Sequence, residues 1–589
     1  MGKYIQKRLV GMIVLLFLVS IAAFALVRLM PGDAAFAYLN SINAPVTDAA
    51  LAKVRAELGL DRPVIFQYTA WLRRVVCLDL GVSFMTKKPV SGQLLISFRY
   101  TMILTAMSAV WIAVLSLPLG IMAGKRPGSA GDQLIRGITF LGSSMPSFWL
   151  GFLLVELFAL KLKLLPVQGA ETFSHLVLPS ATLACSYIAM YTKMIRGGIV
   201  ENMGRRYAVY GRARGLKKNT VLWRHVLPNA LNPVFTTLGL SLGSMLSGAV
   251  IVENVFAWPG MGRLIVSAVA GRDYPVIQGY ILVIAVVYTL LNLGMDILCA
   301  AMNPQIRFEG TNIDLEVMFR KLIKDRVCLF CLFMLILFAI AAVLAPCLSP
   351  NDPNEIHYTA RFAGISSMFP LGTDHMGRCI LSRILYGSRL SLGYAVLITV
   401  ISSVTGTMLG MLSGYTGGLP DRIFMGICDA VRAFPGIVIV LVVVSLLGTG
   451  LFELCLGMLA TRWVWYARVA RNLTKAEREK EAVLASRMAG SSLFSIITTL
   501  IFPAIRMQML SVTTINFGTA LTALAGYSFL GFGAAPPSPE WGMMIQDGRS
   551  FISTDPSMMF WPGLCILAVV IFTNGLGDRI QEIAGKMRR

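Results

Sequence analysis

Two stretches decide how this chain folds: Arg212-Ala-Arg-Gly-Leu-Lys-Lys-Asn-Thr-Val-Leu-Trp-Arg-His-Val-Leu-Pro228 and Arg487-Met-Ala-Gly-Ser-Ser-Leu-Phe-Ser-Ile-Ile-Thr-Thr-Leu-Ile-Phe-Pro503. Each sets a glycine thirteen residues ahead of a proline, Gly215 to Pro228 and Gly490 to Pro503, and each proline opens a long apolar block. Helical residues run up to the glycine, which is a natural helix stop. A further amphipathic piece then leads to the proline. Working outward, the same pairing recurs. Asn292 with Asp296 and Asn574 with Asp578 repeat an Asn-x-x-x-Asp pattern on the last apolar block of each half. Met145-Pro-Ser-Phe148 and Phe434-Pro-Gly436 place a proline in the third. Three coincidences of this kind make a tandem duplication.

The repeated unit is a membrane unit. Of 589 residues, 56% are apolar and 14% charged, with mean hydropathy +0.70. A soluble chain carries about 25% charged residues. The apolar residues come in long blocks, and a helix needs about 20 of them to cross a bilayer whose interior cannot hydrate the backbone. The expected fold is an all-α polytopic membrane protein of about 12 transmembrane helices. Spans are predicted near 9–29, 101–123, 138–160, 176–195, 231–252, 276–301, 327–347, 390–413, 427–447, 451–467, 508–530 and 558–577. Glu453 and Arg462 interrupt the tenth. The first, after Lys3, Lys7 and Arg8, is longer than a signal-peptide core and reads as a retained helix.

Charge sets orientation. The net charge of +22 sits in short segments between apolar blocks, the positive-inside pattern, rather than in a nucleic-acid-binding face. Arg205, Arg206, Arg212, Arg214, Lys217 and Lys218 place the segment 193–228 in the cytoplasm; Arg468, Arg471, Lys475, Arg478, Lys480 and Arg487 do so for 468–503. Six spans per half bring each half back to its starting side, so the halves are parallel repeats. The expected organisation is a first unit, 1–309, a cytoplasmic linker, 310–326, and a second unit, 327–589. Both termini are cytoplasmic, and the polar segments 31–98 and 348–389 lie outside. The first holds an amphipathic stretch, Asp48 to Leu58, with Thr47 or Asp48 as its cap.

The chain lacks the residues that ATP chemistry needs. No GxxxxGK[ST] occurs; Gly124-Lys125 and Gly585-Lys586 continue with Arg and Met and have no upstream glycine cradle. Four separated histidines (His175, His225, His357 and His375) make no metal cluster, and Cys328-x-x-Cys331 reads as two small apolar residues. No catalytic residue is expected, and no cofactor in this chain: ATP and Mg belong to partner subunits. Ionisable residues in or beside spans are expensive and mark pathways or pairings. They are Glu156, Glu253, Asp296, Asp429, Arg432, Glu453 and Asp578. Asp429 and Arg432, three apart on one helix face, are expected to pair. Asp296 and Asp578 read as packing or capping groups.

One basic loop alone would be explained by orientation. Two with the same glycine–proline spacing point to docking in clefts on a partner, and they resemble the "EAA" coupling loops of ABC-importer permeases. Over nearly its whole length the chain is similar to the dipeptide/oligopeptide/nickel permease family. The first permease is matched by Arg28-Leu-Met-Pro-Gly-Asp33, Glu57-Leu-Gly-Leu-Asp61, Asp79-Leu-Gly-Val-Ser83, Glu253-Asn-Val-Phe-Ala-Trp-Pro-Gly-Met-Gly262 and Asp273-Tyr-Pro-Val-Ile-Gln278. The second is matched by Leu371-Gly-Thr-Asp-His-Met-Gly-Arg378, Ser382-Arg383, Gly387-Ser-Arg-Leu-Ser-Leu392 and Ser528-Phe-Leu-Gly-Phe-Gly533.

The resemblance implies a type I importer fold in a bacterial inner membrane, fed by an extracytoplasmic binding protein and driven by two ATPase subunits. It makes Arg212, Arg214, Gly215, Pro228, Arg487, Gly490 and Pro503 ATPase-coupling residues. Glu253, ending the pore-lining fifth span, becomes a pathway candidate beside Asp429. Three departures stand out. Val209-Tyr-Gly211 and Leu484-Ala-Ser486 replace the E-A-A triplet, Cys379 replaces an aspartate, and the glutamate usual before Ser528 is missing around Leu524 to Gly526. The stretch Ala37 to Pro45, with Gln67-Tyr68 and Trp71-Leu72, resembles nickel-type members. The expected cargo is therefore nickel or a nickel chelate, with di- and oligopeptides as the alternative. A gradient-driven carrier is the rival from another class.

Overall fold

The computed structural model describes residues 12–13, 16–21, 23–25, 39, 45, 47–57, 61–302 and 324–586. Most of Ala37 to Pro45 therefore lies outside the described residues. The described chain is helical, and its β content is two isolated bridges, Val82 with Pro89 and Thr373 with Cys379. It divides into two compact units. One comprises Met1–Pro304 with Ala433–Leu447, the other Gln305–Arg432 with Gly448–Arg589.

Up to Pro304 the helices of the first unit are α1 (Asp48–Glu57), α2 (Val64–Val76), α3 (Val90–Lys125), α4 (Ala130–Ser144), α5 (Ser147–Leu154), α6 (Ser174–Met203), α7 (Arg206–Ala213), α8 (Lys218–Val221), α9 (Leu227–Val255), α10 (Met261–Ala270) and α11 (Tyr274–Met302). The expected cap of α1 is present: the Ala50 N–H donates to Thr47 Oγ1 at 3.2 Å. The segment expected as one span at 138–160 is two helices, α4 and α5, bent by 109° at Pro146. Proline cannot supply the N–H that would continue α4, and it drives Met145 into extended backbone. The framework of the unit is α3 packed along α6. There Gly120 and Gly124 let the backbones close: an added Cβ would lie 2.7 Å from Ile195 and 2.9 Å from Ile199.

The chain continues with α12 (Arg326–Val343), α13 (Ile380–Thr416), α14 (Gly418–Ala433), α15 (Gly436–Leu447), α16 (Leu451–Arg478), α17 (Glu481–Met488), α18 (Leu493–Ile496), α19 (Phe502–Tyr527), α20 (Trp541–Gly548) and α21 (Ser557–Lys586). The break between α14 and α15 falls at Pro435, as that between α4 and α5 falls at Pro146. In the second unit α13 lies on α16 as α3 lies on α6. A Cβ at Gly410 would be 2.3 Å from the Ala467 carbonyl oxygen, and one at Gly414 2.7 Å from that of Arg471. Cys328 and Cys331 are buried free thiols at the start of α12. Six described helices are long and apolar enough to cross a membrane, or eight if each broken pair is one span, and Leu16–Ala25, Ser241–Val255 and Met261–Ala270 are shorter apolar helices. Among the described residues the architecture is all-helical and built for a membrane, as the expected polytopic fold requires.

Candidate functional site

The glycine–proline segments are built alike to the residue. Helices α7 and α17 begin 275 residues apart (206 and 481), and so do α8 and α18 (218 and 493). Each first helix ends on a glycine in the left-handed region, Gly215 at φ +84° and Gly490 at φ +79°. There Gly215 N–H donates to Arg212 and Leu216 N–H to Gly211, at 3.0 and 3.2 Å; Gly490 N–H donates to Arg487 and Ser491 N–H to Ser486, each at 3.1 Å. Only glycine enters this conformation without a Cβ penalty. One widened π-turn follows in each, Leu222–Val226 and Ile497–Ile501, immediately before the helices that carry Pro228 and Pro503 in their first turn.

Each segment is held from beneath and bare above. Ala208, Val221, Leu222 and Val226 are buried in the first, Val483, Ile496 and Ile501 in the second. Tyr210 and Trp223, and in turn Met488, Phe494 and Phe502, are exposed. Arg212 donates to the Met203 carbonyl at 3.1 Å, Arg214 lies over the Tyr210 ring, and Arg487 is exposed. The result, twice over, is a small apolar cluster fringed with cations.

Each half also holds a bidentate ion pair that sequence reasoning missed. Arg196, on α6, grips Asp132 at 2.5 and 2.7 Å; Arg471, on α16, grips Asp421 at 2.9 and 2.5 Å. Both aspartates are buried. Arg196 precedes Gly215, and Arg471 precedes Gly490, by nineteen residues. That constant offset was the available signal, whereas the aspartates are spaced differently (132 and 421) and could not be aligned by eye.

At the far ends of α9 and α19 lie two carboxylates. Glu253 is fully buried; it accepts from Thr101 Oγ1 at 2.6 Å and from the N–H groups of Gly262 and Arg263 at 2.6 and 3.2 Å. Both oxygens are engaged and neither faces open space, so as placed here Glu253 does not line a pathway. In the second unit Glu540, also fully buried, accepts from Ser391 Oγ at 3.0 Å and from Met543 N–H at 2.9 Å. Burial pushes the Glu540 carboxyl above its usual range, against the opposing pull of these donors.

Two of the remaining charged candidates are paired. Asp429 bonds Arg468 at 3.0 Å, not Arg432 as its spacing suggested, because Arg468 reaches it from α16. Glu156 pairs with Lys161 at 2.9 Å. The side chains of Asn292 and Asp296 lie outside those described. Several sequence motifs meet. Asp273 accepts from Ser83 Oγ and the Phe84 N–H at 2.5 and 3.1 Å, tying Asp79–Ser83 to Asp273–Gln278. Asp374 accepts from Arg378 Nε at 2.7 Å, with Arg383 and Asp547 beside the pair. Burial raises the Asp547 carboxyl, opposed by Arg383 and Arg378, and lowers the His375 imidazole, which stacks on Phe551. Cys379, buried at the start of α13, gives that helix no side-chain cap.

The chain matches the family described as "Binding-protein-dependent transport system inner membrane component" twice, over residues 116–308 and 406–586. It also matches "Binding-prot-dependent transport system membrane comp, N-term" over 1–105 and "N-terminal TM domain of oligopeptide transport permease C" over 315–364. It belongs to this family of ABC-importer permeases, a multi-pass inner-membrane component that is not itself an enzyme and works with ATPase and substrate-binding partners. Similar proteins include the glutathione transport system permease protein GsiC of Escherichia coli (strain K12), 39% identical over 310 residues. The GsiC protein of Shigella boydii serotype 4 is 38% identical over 310. In each case the match covers 52% of this chain and 100% of the relative, so one such permease corresponds to about half of this polypeptide.

Proposed function

We propose that this chain carries both halves of an importer pore for short peptides of the glutathione class. The similarity of half the chain to glutathione permeases over their whole length carries this reading. The two units would run 1–309 and 327–589, joined at 310–326. Two ATPase subunits, binding ATP and Mg, would each take one glycine–proline segment: Arg212, Arg214, Gly215 and Pro228 on one side, Arg487, Gly490 and Pro503 on the other. The twin exposed apolar clusters with cationic rims support this, because such surfaces mark partner contacts. Both termini would then be cytoplasmic, and 31–98 and 348–389 would face an extracytoplasmic binding protein. Asp429, more than half exposed, is the pathway candidate carried forward.

Nickel, or a nickel chelate, is the second cargo. It is favoured by the likeness of Ala37 to Pro45, Gln67-Tyr68 and Trp71-Leu72 to nickel-type permeases. Family membership displaces the gradient-driven carrier. The deciding experiment measures uptake of radiolabelled glutathione and of radioactive nickel in cells lacking the chain and in cells with it restored. Restoration should return glutathione uptake that excess dipeptide competes and ATP depletion abolishes, with nickel unmoved. Restored nickel uptake without glutathione uptake would overturn the peptide reading.

A further inference from the structure

Each half pins a short helix by its N-terminus to the unit's longest helix, and the two pins share every part but one. Thr101 stands eleven residues into α3 and Ser391 eleven into α13 (90 to 101, 380 to 391). Each hydroxyl donates to a buried carboxylate and accepts the first N–H of the short helix, Met261 at 2.8 Å or Trp541 at 3.1 Å. The second helical residue is glycine in both. A Cβ at Gly262 would lie 2.3 Å from Val250 Cα, and one at Gly542 2.7 Å from Ala525 Cα. Val250 and Ala525 each precede by three the residue that faces the pin, which is Glu253 in one half and Ser528 in the other. The residue before the short helix is Gly260 in one half and Glu540 in the other, both in extended backbone.

We propose that Glu253 and Glu540 are one positioning element supplied from two chain positions: glutamate with glycine in the first half, serine with glutamate in the second. Space explains why one carboxylate occupies each pin. A Cβ at Gly260 would fall 2.2 Å from a Glu253 oxygen, so two glutamates cannot coexist there. Shortening residue 253 to serine opens that volume for a glutamate at 260. The first N–H groups of a helix have no intrahelical acceptor, so their shielding reports the pin itself. Since α9 and α19 start at the glycine–proline segments and end at these pins, the pins fix the far ends of the helices that such a segment would move. This last step rests on the coupling reading above.

The test uses the full chain with its ATPase partners in lipid nanodiscs and reads amide hydrogen exchange at Met261, Gly262 and Arg263. Glu253→Ser should speed exchange there by about ten- to a hundredfold, the range expected for losing hydrogen bonds to a charged group. Gly260→Glu alone should do no less, through the clash. The double variant Glu253→Ser/Gly260→Glu should restore protection to within about threefold of the parent, a difference of about 0.65 kcal/mol. Glu540→Gln, read at Met543, provides the same measurement without altering the first half. Unchanged exchange in the single variants, or a double variant no better than Glu253→Ser at equal yield of assembled complex, would overturn the proposal. A second readout, radiolabelled glutathione imported per ATP hydrolysed in proteoliposomes, should fall in Glu253→Ser and recover in the double variant. A merely structural loss would lower the amount of complex and leave that ratio alone; an unchanged ratio beside lost protection would refute a positioning role. Should the parent import no glutathione, the cargo reading fails while the exchange measurement still decides the pin.

Discussion

At their starts, α9 and α19 are preceded by segments whose helices, glycine and proline fall in one register; at their ends, the same helices meet carboxylates taken from different places. The glycine stop, the π-turn and the proline keep one register through both copies. The pins keep the hydroxyl, the carboxylate and the helix N-terminus but not the chain position of the glutamate. The connecting segments differ further: Asp273 gathers the loop at 83–85 in one unit, while Asp374, Arg378, Arg383 and Asp547 make a buried charge cluster in the other. On the proposed function, the contrast separates parts that answer to an outside surface from parts that do not. A segment that fits an external cleft must keep its backbone path. A pin that satisfies only its own half needs one buried carboxylate, from whichever residue reaches.

The largest effect should come from the shared register. Gly215→Ile or Gly490→Ile forces a β-branched side chain into left-handed backbone, at a cost of about 1–2 kcal/mol or more. Uptake in cells should fall to background in both variants while membrane insertion, read by immunoblot, holds. If one variant transports normally, the two segments are not equivalent and the comparison breaks.

A smaller effect is expected at the ion pairs. Asp132→Ala and Asp421→Ala each leave a partly buried arginine without its partner. The arginines' partial exposure keeps the cost below the about 3–5 kcal/mol of breaking a fully buried pair, and uptake should fall by less than in the glycine variants. Thermal melting of the detergent-solubilised chain should drop by a similar amount in the two. A drop in only one would mean that its counterpart is a bystander, and would sharpen the difference between the halves.

These outcomes bear on what a reader of the sequence can and cannot see. The duplication and the glycine–proline segments were legible because each depends on residues with a fixed backbone meaning, glycine at positive φ and proline without its N–H; the third span was expected unbroken, although Pro146 and Pro435 mark where it bends. The ion pairs were half legible: Arg196 and Arg471 keep a constant distance to the glycine, but their aspartates sit across connections of unequal length. The pins were hidden. Glu253 looked like a pathway residue because a charge at the end of an apolar helix has no visible partner until α10 and Thr101 are brought to it. Glu540 drew no notice at all, lying in a polar connection where glutamates are common. Asp429 was matched to the wrong arginine because a neighbour three residues away on one helix is visible in sequence, and Arg468 on another helix is not.

On the proposed function, one polypeptide offers two equivalent seats to ATPase subunits. The direct measurement is cysteine cross-linking in inner-membrane vesicles, with Arg212→Cys and Arg487→Cys introduced separately and together and the ATPase subunits co-expressed. Each single variant should cross-link one ATPase subunit, and the double variant should yield a product holding two. Cross-linking from only one position, or from neither while the complex remains assembled, would mean that the chain does not offer two equivalent seats.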